Sequence, residues 1–192
     1  MTGPQKDFVL NTSRKFAELL DELDDDSARR AQLARTLNGQ PAYWLEDLLV
    51  RSGLAGQPSE LQDRMRLIAG LYGLFNRGSK KLTASDGRSI GTLMGDLFAE
   101  NGSPSTEHRF LNLLSTDAEG LPHTLRQIGS LLTSRGISID YARLALDLWF
   151  WNDRTKRAWA QDFYTVTTRP PRTAEDQTGP QNAARIPQED RS

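Results

Sequence analysis

Residues 60–76 read ELQDRMRLIAGLYGLFN. Leu61, Met65, Ile68, Tyr72 and Phe75 recur there at spacings of 4, 3, 4 and 3, which is the period of one face of an α-helix. The same rhythm recurs on either side of this stretch. Phe16, Leu19, Leu20 and Leu23 form one stripe, Leu121, Leu125, Ile128 and Leu132 a second, and Trp159, Phe163 and Val166 a third. Residues 139–151 are apolar on nearly every side, from Ile139 through Tyr141, Leu144 and Leu148 to Trp151, as in a central buried helix. No stretch alternates apolar and polar residues with β-branched enrichment, so no sheet is expected. The fold class read from the sequence is all-α.

Punctuation divides the chain into about nine helices. Asp25 or Asp26 caps a helix that stops at Asn38-Gly39, and Pro41 suits the first turn of the next, which ends near Ser52-Gly53. Ser59 is read as the cap of the 60–76 helix, and residues 77–88, RGSKKLTASDGR, as a loop. Ser89 starts a helix ending at Asn101-Gly102, and Ser105 or Thr106 caps the next, opened by Ser103-Pro104. Pro122 lies in a first turn of a helix that stops at Arg135-Gly136; Ser138 caps 139–151; a last helix spans about 154–166. These helices are expected in two packed bundles, an N-terminal lobe at 12–102 and a C-terminal lobe at 103–168. Residues 1–11 are expected to be a flexible N-terminus. Residues 169–192, with four prolines and no aromatic residue, are expected to be a disordered tail.

Composition narrows the chemistry. The chain has 192 residues, 37% of them hydrophobic, and a net charge of −1. That balance does not mark a nucleic-acid binder by itself, but the charge is unevenly spread. Residues 27–81 carry net +5 and 123–172 net +4, offset by −4 in 1–26, −4 in 82–122 and −2 in 173–192. The absence of cysteine excludes disulfides, thiolate zinc sites and cysteine nucleophiles. No apolar run approaches the ~20 residues of a membrane span, and the first residues lack the apolar core of a secretory signal. A cytoplasmic protein with no membrane partner is expected.

Catalytic motifs are scarce. His108 and His123 stand fifteen residues apart without a third ligand at metal spacing, and read as surface or capping residues. Asp24-Asp25-Asp26 reads as a helix start rather than a cation site. Neither a P-loop nor a dinucleotide fingerprint is present. The sequence therefore implies no catalytic residue, cofactor or metal. A hydrolase or nuclease would have to rest on carboxylates that no motif gathers.

Helical geometry sorts the cations. At 100° per residue, Arg30 falls on the Leu33/Leu37 side and is expected to snorkel or to pair internally, whereas Arg35 lies opposite. Arg109 points away from Phe110, Leu113 and Leu114. Arg126 lies off the Leu125/Ile128/Leu132 stripe, and Arg154 and Arg157 oppose Trp159 and Phe163. Lys80 and Lys81 lie in the Gly/Ser-containing loop. Together Arg35, Lys80, Lys81, Arg109, Arg126, Arg154 and Arg157 make a candidate track for backbone phosphates.

An ordered set of blocks goes further. DSARRAQLARTL (26–37) is followed by QPAYWLEDLL (40–49), GRSIGTLMGDL (87–97), STEHRFLNLLSTD (105–117), LRQIGSLL (125–132) and DYARLALDLWFWNDRTKRAWAQDFYTVTT (140–168). Over about residues 12–168 this succession resembles the CasB family, the small subunit of the type I-E CRISPR surveillance complex Cascade. The last block, with its paired aromatics and basic helix start, is the most specific.

The resemblance implies an all-helical, two-lobed subunit without catalytic activity. It implies two copies set head to tail in the complex, contacting Cas7-type backbone subunits and the large subunit. It also implies that basic surface residues hold the guide RNA–target DNA and the displaced DNA strand. R-loop formation is a near-balanced exchange of duplexes, which protein–backbone contacts can tip. Residue by residue, paired arginines of the family become Ala34-Arg35, His108-Arg109 and Arg126-Gln127 here, and Arg154 matches a basic position before the last helix. A second reading stays open at this point: a purely structural protein–protein adaptor whose basic faces meet acidic partners.

Overall fold

The computed structural model describes residues 3–76 and 87–168. Among them are nine helices and no strand: α1 (Gly3–Asp21), α2 (Ser27–Thr36), α3 (Leu45–Ser52), α4 (Ser59–Phe75), α5 (Ile90–Asn101), α6 (Pro104–Ser115), α7 (Leu121–Ser134), α8 (Tyr141–Trp149) and α9 (Asp153–Thr167). The all-α reading and its helix count hold. Lys80, Lys81 and the 169–192 tail lie outside the described residues.

The helices pack in two groups that share one apolar core. In the first, α2 lies along α4, α1 packs on α3 and α8, and α8 also meets α4. In the second, α9 lies along α5, and α6 packs on α5 and α7. Contact between α4 and α7 joins the groups. The division does not follow the chain at residues 102 and 103. Helix α5, read as part of the first lobe, packs on α9, and α8, read as part of the second, packs on α1 and α4.

Two glycines account for the α5–α9 contact. A Cβ on Gly91 would run into the backbone carbonyl of Trp159, and one on Gly95 would lie 2.8 Å from the Phe163 carbonyl oxygen. Without side chains at those positions the two backbones approach closely, and Trp159 and Phe163 become fully buried. Phe163 stacks on Phe110 of α6 with ring centres 4.5 Å apart.

Helices α8 and α9 are also tied by polar contacts. Trp159 Nε1 donates to Asp147 Oδ2 at 2.7 Å, and Arg143 Nε donates to both Asp147 oxygens at 3.0 Å. Burial pushes the Asp147 carboxyl above the ordinary carboxylate range, and the contacts from Trp159 and Arg143 pull against that rise.

The structure corrects several local readings. The N-terminal residues expected to be flexible from 1 to 11 are helical from Gly3 onward. Val9 is buried there, and Phe8 meets Trp149 edge-on at 6.1 Å. The stripe is hidden in the sequence because the buried face between Val9 and Phe16 carries Thr12 and Ser13. Pro41 precedes α3 by four residues and lies in no helix. Pro58, not Ser59, is the N-cap of α4; Ser103, not Ser105 or Thr106, is that of α6. Asp140, not Ser138, caps α8, accepting from the Arg143 N–H. An aspartate closer to the helix start satisfies the free N–H better than a serine two residues earlier. Of the two aspartates read as a cap for α2, Asp26 is the one in place, and Ser89 starts α5 as read, each accepting an N–H three residues on.

Candidate nucleic-acid interface

Helices α6 and α7 each contribute one arginine to a common groove. It has a volume of about 670 Å³ and is lined by Arg109 of α6, by His123, Arg126, Gln127 and Ser130 of α7, and by Leu74 and Phe75 at the end of α4. Leu131 and Ser134 complete it, and no carboxylate is among its lining residues. The groove exists because α7 carries Gly129 where the Phe75 ring arrives: a Cβ there would overlap the ring. Phe75 thereby forms an apolar wall beside two guanidiniums.

The two arginines differ in how they are held. Arg109 is exposed and makes no ion pair or hydrogen bond among the described residues. Arg126 is half-buried and donates through Nη1 and Nη2 to Asn38 Oδ1, at 3.2 and 3.1 Å. It keeps its full charge, because an amide oxygen neutralises nothing. Asn38 follows α2, and its own N–H reaches the carbonyl of Arg35 at 3.0 Å. Arg35 is exposed on α2 and free of ion pairs among the described residues. A second depression, lined by Arg30, Ala31, Ala34 and Gly73, shares Leu74 with the groove and carries the surface toward α2.

Arg30 behaves as its helical position indicated. Its Nη1 donates to Asp24 Oδ1 at 3.3 Å and to the Asn76 carbonyl at 2.8 Å, closing the end of α4. Arg154 and Arg157 are exposed in the first turns of α9 but do not line the α6–α7 groove. Asn152 holds this helix start by accepting from the N–H groups of Arg154 and Thr155 at 2.9 and 3.3 Å. Lys156 is engaged elsewhere: Nζ donates to the Thr116 carbonyl at 2.9 Å and lies 5.3 Å from the Trp151 ring centre.

Sequence reasoning missed Asn38, His123 and Gln127 as members of this surface. Only the i, i+3 and i+4 spacing of His123, Arg126 and Gln127 hinted at a shared face on α7. No group of three or more His, Asp or Glu among the described residues could hold a metal ion. No described helix is long and apolar enough to cross a membrane.

A family model described as CRISPR-associated protein Cse2 matches residues 28–164. The chain belongs to the Cse2 family. The CRISPR-associated protein Cse2 of Thermus thermophilus is 30% identical over 167 residues, spanning 81% of this chain and 91% of its own length. The crystal structure of M. ruber CasB aligns with a TM-score of 0.64 and 31% identity, over 72% of this chain and 85% of that one. A chain of a CRISPR RNA-guided surveillance complex, 18% identical, has the same fold, with a TM-score of 0.63 over 83% of this chain and 94% of its own. The Cse2 match covers α2 through most of α9, and with them every helix that lines the groove.

Proposed function

We propose that this Cse2-family chain is the non-catalytic small subunit of a type I-E CRISPR surveillance complex. In this reading it contacts the guide RNA–target DNA and stabilises the displaced strand of the R-loop through basic surface residues. Its protein partners are Cas7-type backbone subunits, the large subunit and a second copy of itself arranged head to tail. The observation that carries the reading is the groove in which Arg109 and Arg126 stand together, without a carboxylate, beside an apolar wall. Positively charged grooves with an apolar or aromatic surface suit single-stranded nucleic acid. Arg35 extends the cationic surface along α2, and Arg154 and Arg157 supply a separate contact at the start of α9; Lys80 and Lys81 are assigned to the same role. These side chains reach phosphates and not base edges, because sequence reading in such complexes belongs to the guide.

The test is Arg35, Arg109, Arg126 and Arg154 replaced together by Ala, assembled into the complex, with target affinity measured across a salt series. Removing one arginine–phosphate interaction should lower the single-strand salt slope by about 0.7. Weakening should be about equal for all target sequences. An unchanged slope and affinity would remove these arginines from the interface.

A second reading rests on a different surface. Tyr43 is 82% exposed and lines a depression of about 450 Å³ whose walls combine apolar Leu37, Leu67 and Pro122 with charged Glu46, Asp63 and Arg66. Such a surface suits a protein–protein adaptor. Failure of the arginine variant to assemble, with its melting unchanged, would mean that the arginines hold protein partners, as in an adaptor whose basic faces meet acidic partners.

A further inference from the structure

We propose that His123 is a phosphate-contacting residue of the α6–α7 groove and takes up a proton when a nucleic-acid backbone phosphate binds beside Arg109 and Arg126. The proposal rests on the nucleic-acid reading of this groove and adds to it a residue of a different chemical kind.

The geometry is specific. His123 lies in the first turn of α7, one turn before Arg126 and Gln127, and its side chain is exposed in the groove. Its Nε2 is 2.9 Å from the Gln127 side-chain nitrogen. An amide NH₂ only donates, so in this arrangement the ring nitrogen facing it is the acceptor. Rotating the Gln127 amide by half a turn presents Oε1 instead, which accepts from an imidazolium Nε2–H. The pair therefore accommodates either charge state without moving the helix.

The surroundings decide which state a ligand selects. The charged groups facing the groove are Arg109 from α6 and Arg126 from α7; α4 presents Leu74 and Phe75, and no carboxylate lines the site. A phosphate drawn in by the two guanidiniums places negative charge beside the ring, which favours the imidazolium. The protonated ring then gives the phosphate a further charge-assisted donor. Histidine is the side chain whose ordinary charge change falls between pH 5 and 8, so that is the range in which proton uptake on binding is read.

The test uses the full chain and a short oligothymidylate, whose bases do not titrate between pH 5 and 8. The chain has two histidines, so ¹⁵N-labelled imidazole signals are few, and His123→Gln assigns them. Saturating oligothymidylate at low salt should raise the titration midpoint of His123 and leave that of His108 in place. Wild-type affinity should weaken by about tenfold between pH 6 and 8, the worth of one charge-assisted hydrogen bond, and His123→Gln and His123→Asn should both flatten that dependence. Suppose Arg109→Ala/Arg126→Ala weakens binding while the His123 midpoint and the pH profile stay unmoved. The histidine proposal is then overturned and the arginine groove stands. If the double arginine variant binds as tightly as the wild type, both are overturned.

Discussion

Arg126 of α7 donates from both terminal guanidinium nitrogens to a single oxygen, Oδ1 of Asn38, across 88 residues of sequence. The contact pins the middle of α7 to the end of α2 and sets the direction in which the guanidinium enters the groove. It orients a charge without cancelling it. Asn38→Asp keeps the shape but adds a carboxylate, turning the contact into an ion pair. We expect Tm to hold or rise slightly, because part-exposed pairs are worth about 0–1 kcal/mol. Nucleic-acid affinity should fall, with the salt slope of the assembled complex reduced by about 0.7. An unchanged slope in a folded Asn38→Asp variant would show that Arg126 makes no phosphate contact.

Arg154 and Arg157 occupy a different place from the groove pair, so the two sets should act independently. Replacing Arg154 and Arg157 by Ala should leave stability within about 0.5 kcal/mol of the wild type, as for surface residues without partners, whereas replacing Arg109 and Arg126 also removes the Arg126–Asn38 contact and should cost about 1 kcal/mol. In the complex, the affinity decrements should add. Strong non-additivity in a double-mutant cycle would mean that one phosphate path links the α9 start directly to the groove.

Gly91 tests the packing of α5 on α9. Gly91→Val forces a side chain against the Trp159 carbonyl, and backbone cannot step aside as a flexible side chain can. Destabilisation of about 1–3 kcal/mol is expected, read as an early melting transition. A variant with unchanged Tm would show that the two backbones are further apart than described.

Trp159 is fully buried and donates to Asp147. Trp159→Ala should cost about 3–5 kcal/mol, a fall in Tm on the order of 10 °C for a chain of this length. A stable Trp159→Ala variant defective only in DNA binding would make this indole a stacking residue and refute its structural role.

Asp147 carries a pH prediction whose sign follows from its burial. Its native carboxyl binds a proton at higher pH than in the unfolded chain, where the ordinary value is about 3.9. Native stability from this group therefore increases as pH falls through the raised native range, and is lost as pH rises through it. Asp147→Asn removes the titration. The Tm of the wild type minus that of Asp147→Asn should thus grow more positive from pH 7 to pH 4. A difference that is flat, or that shrinks toward pH 4, would contradict the assignment of burial as the dominant influence.

How much is legible in the sequence depends on the range of the physics involved. Helix formation is local, so the 3.6-residue stripes and the caps at Asp26 and Ser89 are readable from the chain alone. Where polar residues break the stripe, as at Thr12 and Ser13, the helix escapes notice, because only tertiary burial makes those positions part of a core. Facing directions on single helices are equally readable. The helical period places Arg30 inward and Arg35 outward, and both are so.

What the sequence by itself determined is an all-helical chain, which cations lie off its apolar stripes, and the ordered blocks of the family to which the chain belongs. The tertiary structure decided which of those cations meet. Arg109 and Arg126 converge because Gly129 admits Phe75 and so brings the end of α4 against α7. Arg126 is steered by Asn38, just past the end of α2 and far away in sequence, and α5 packs on the distant α9 as well as on its neighbour α6 because Gly91 and Gly95 allow close approach. A helical period fixes directions around one axis only; the distance between two axes depends on side-chain volumes from both helices at once, and no single stretch of sequence contains that information.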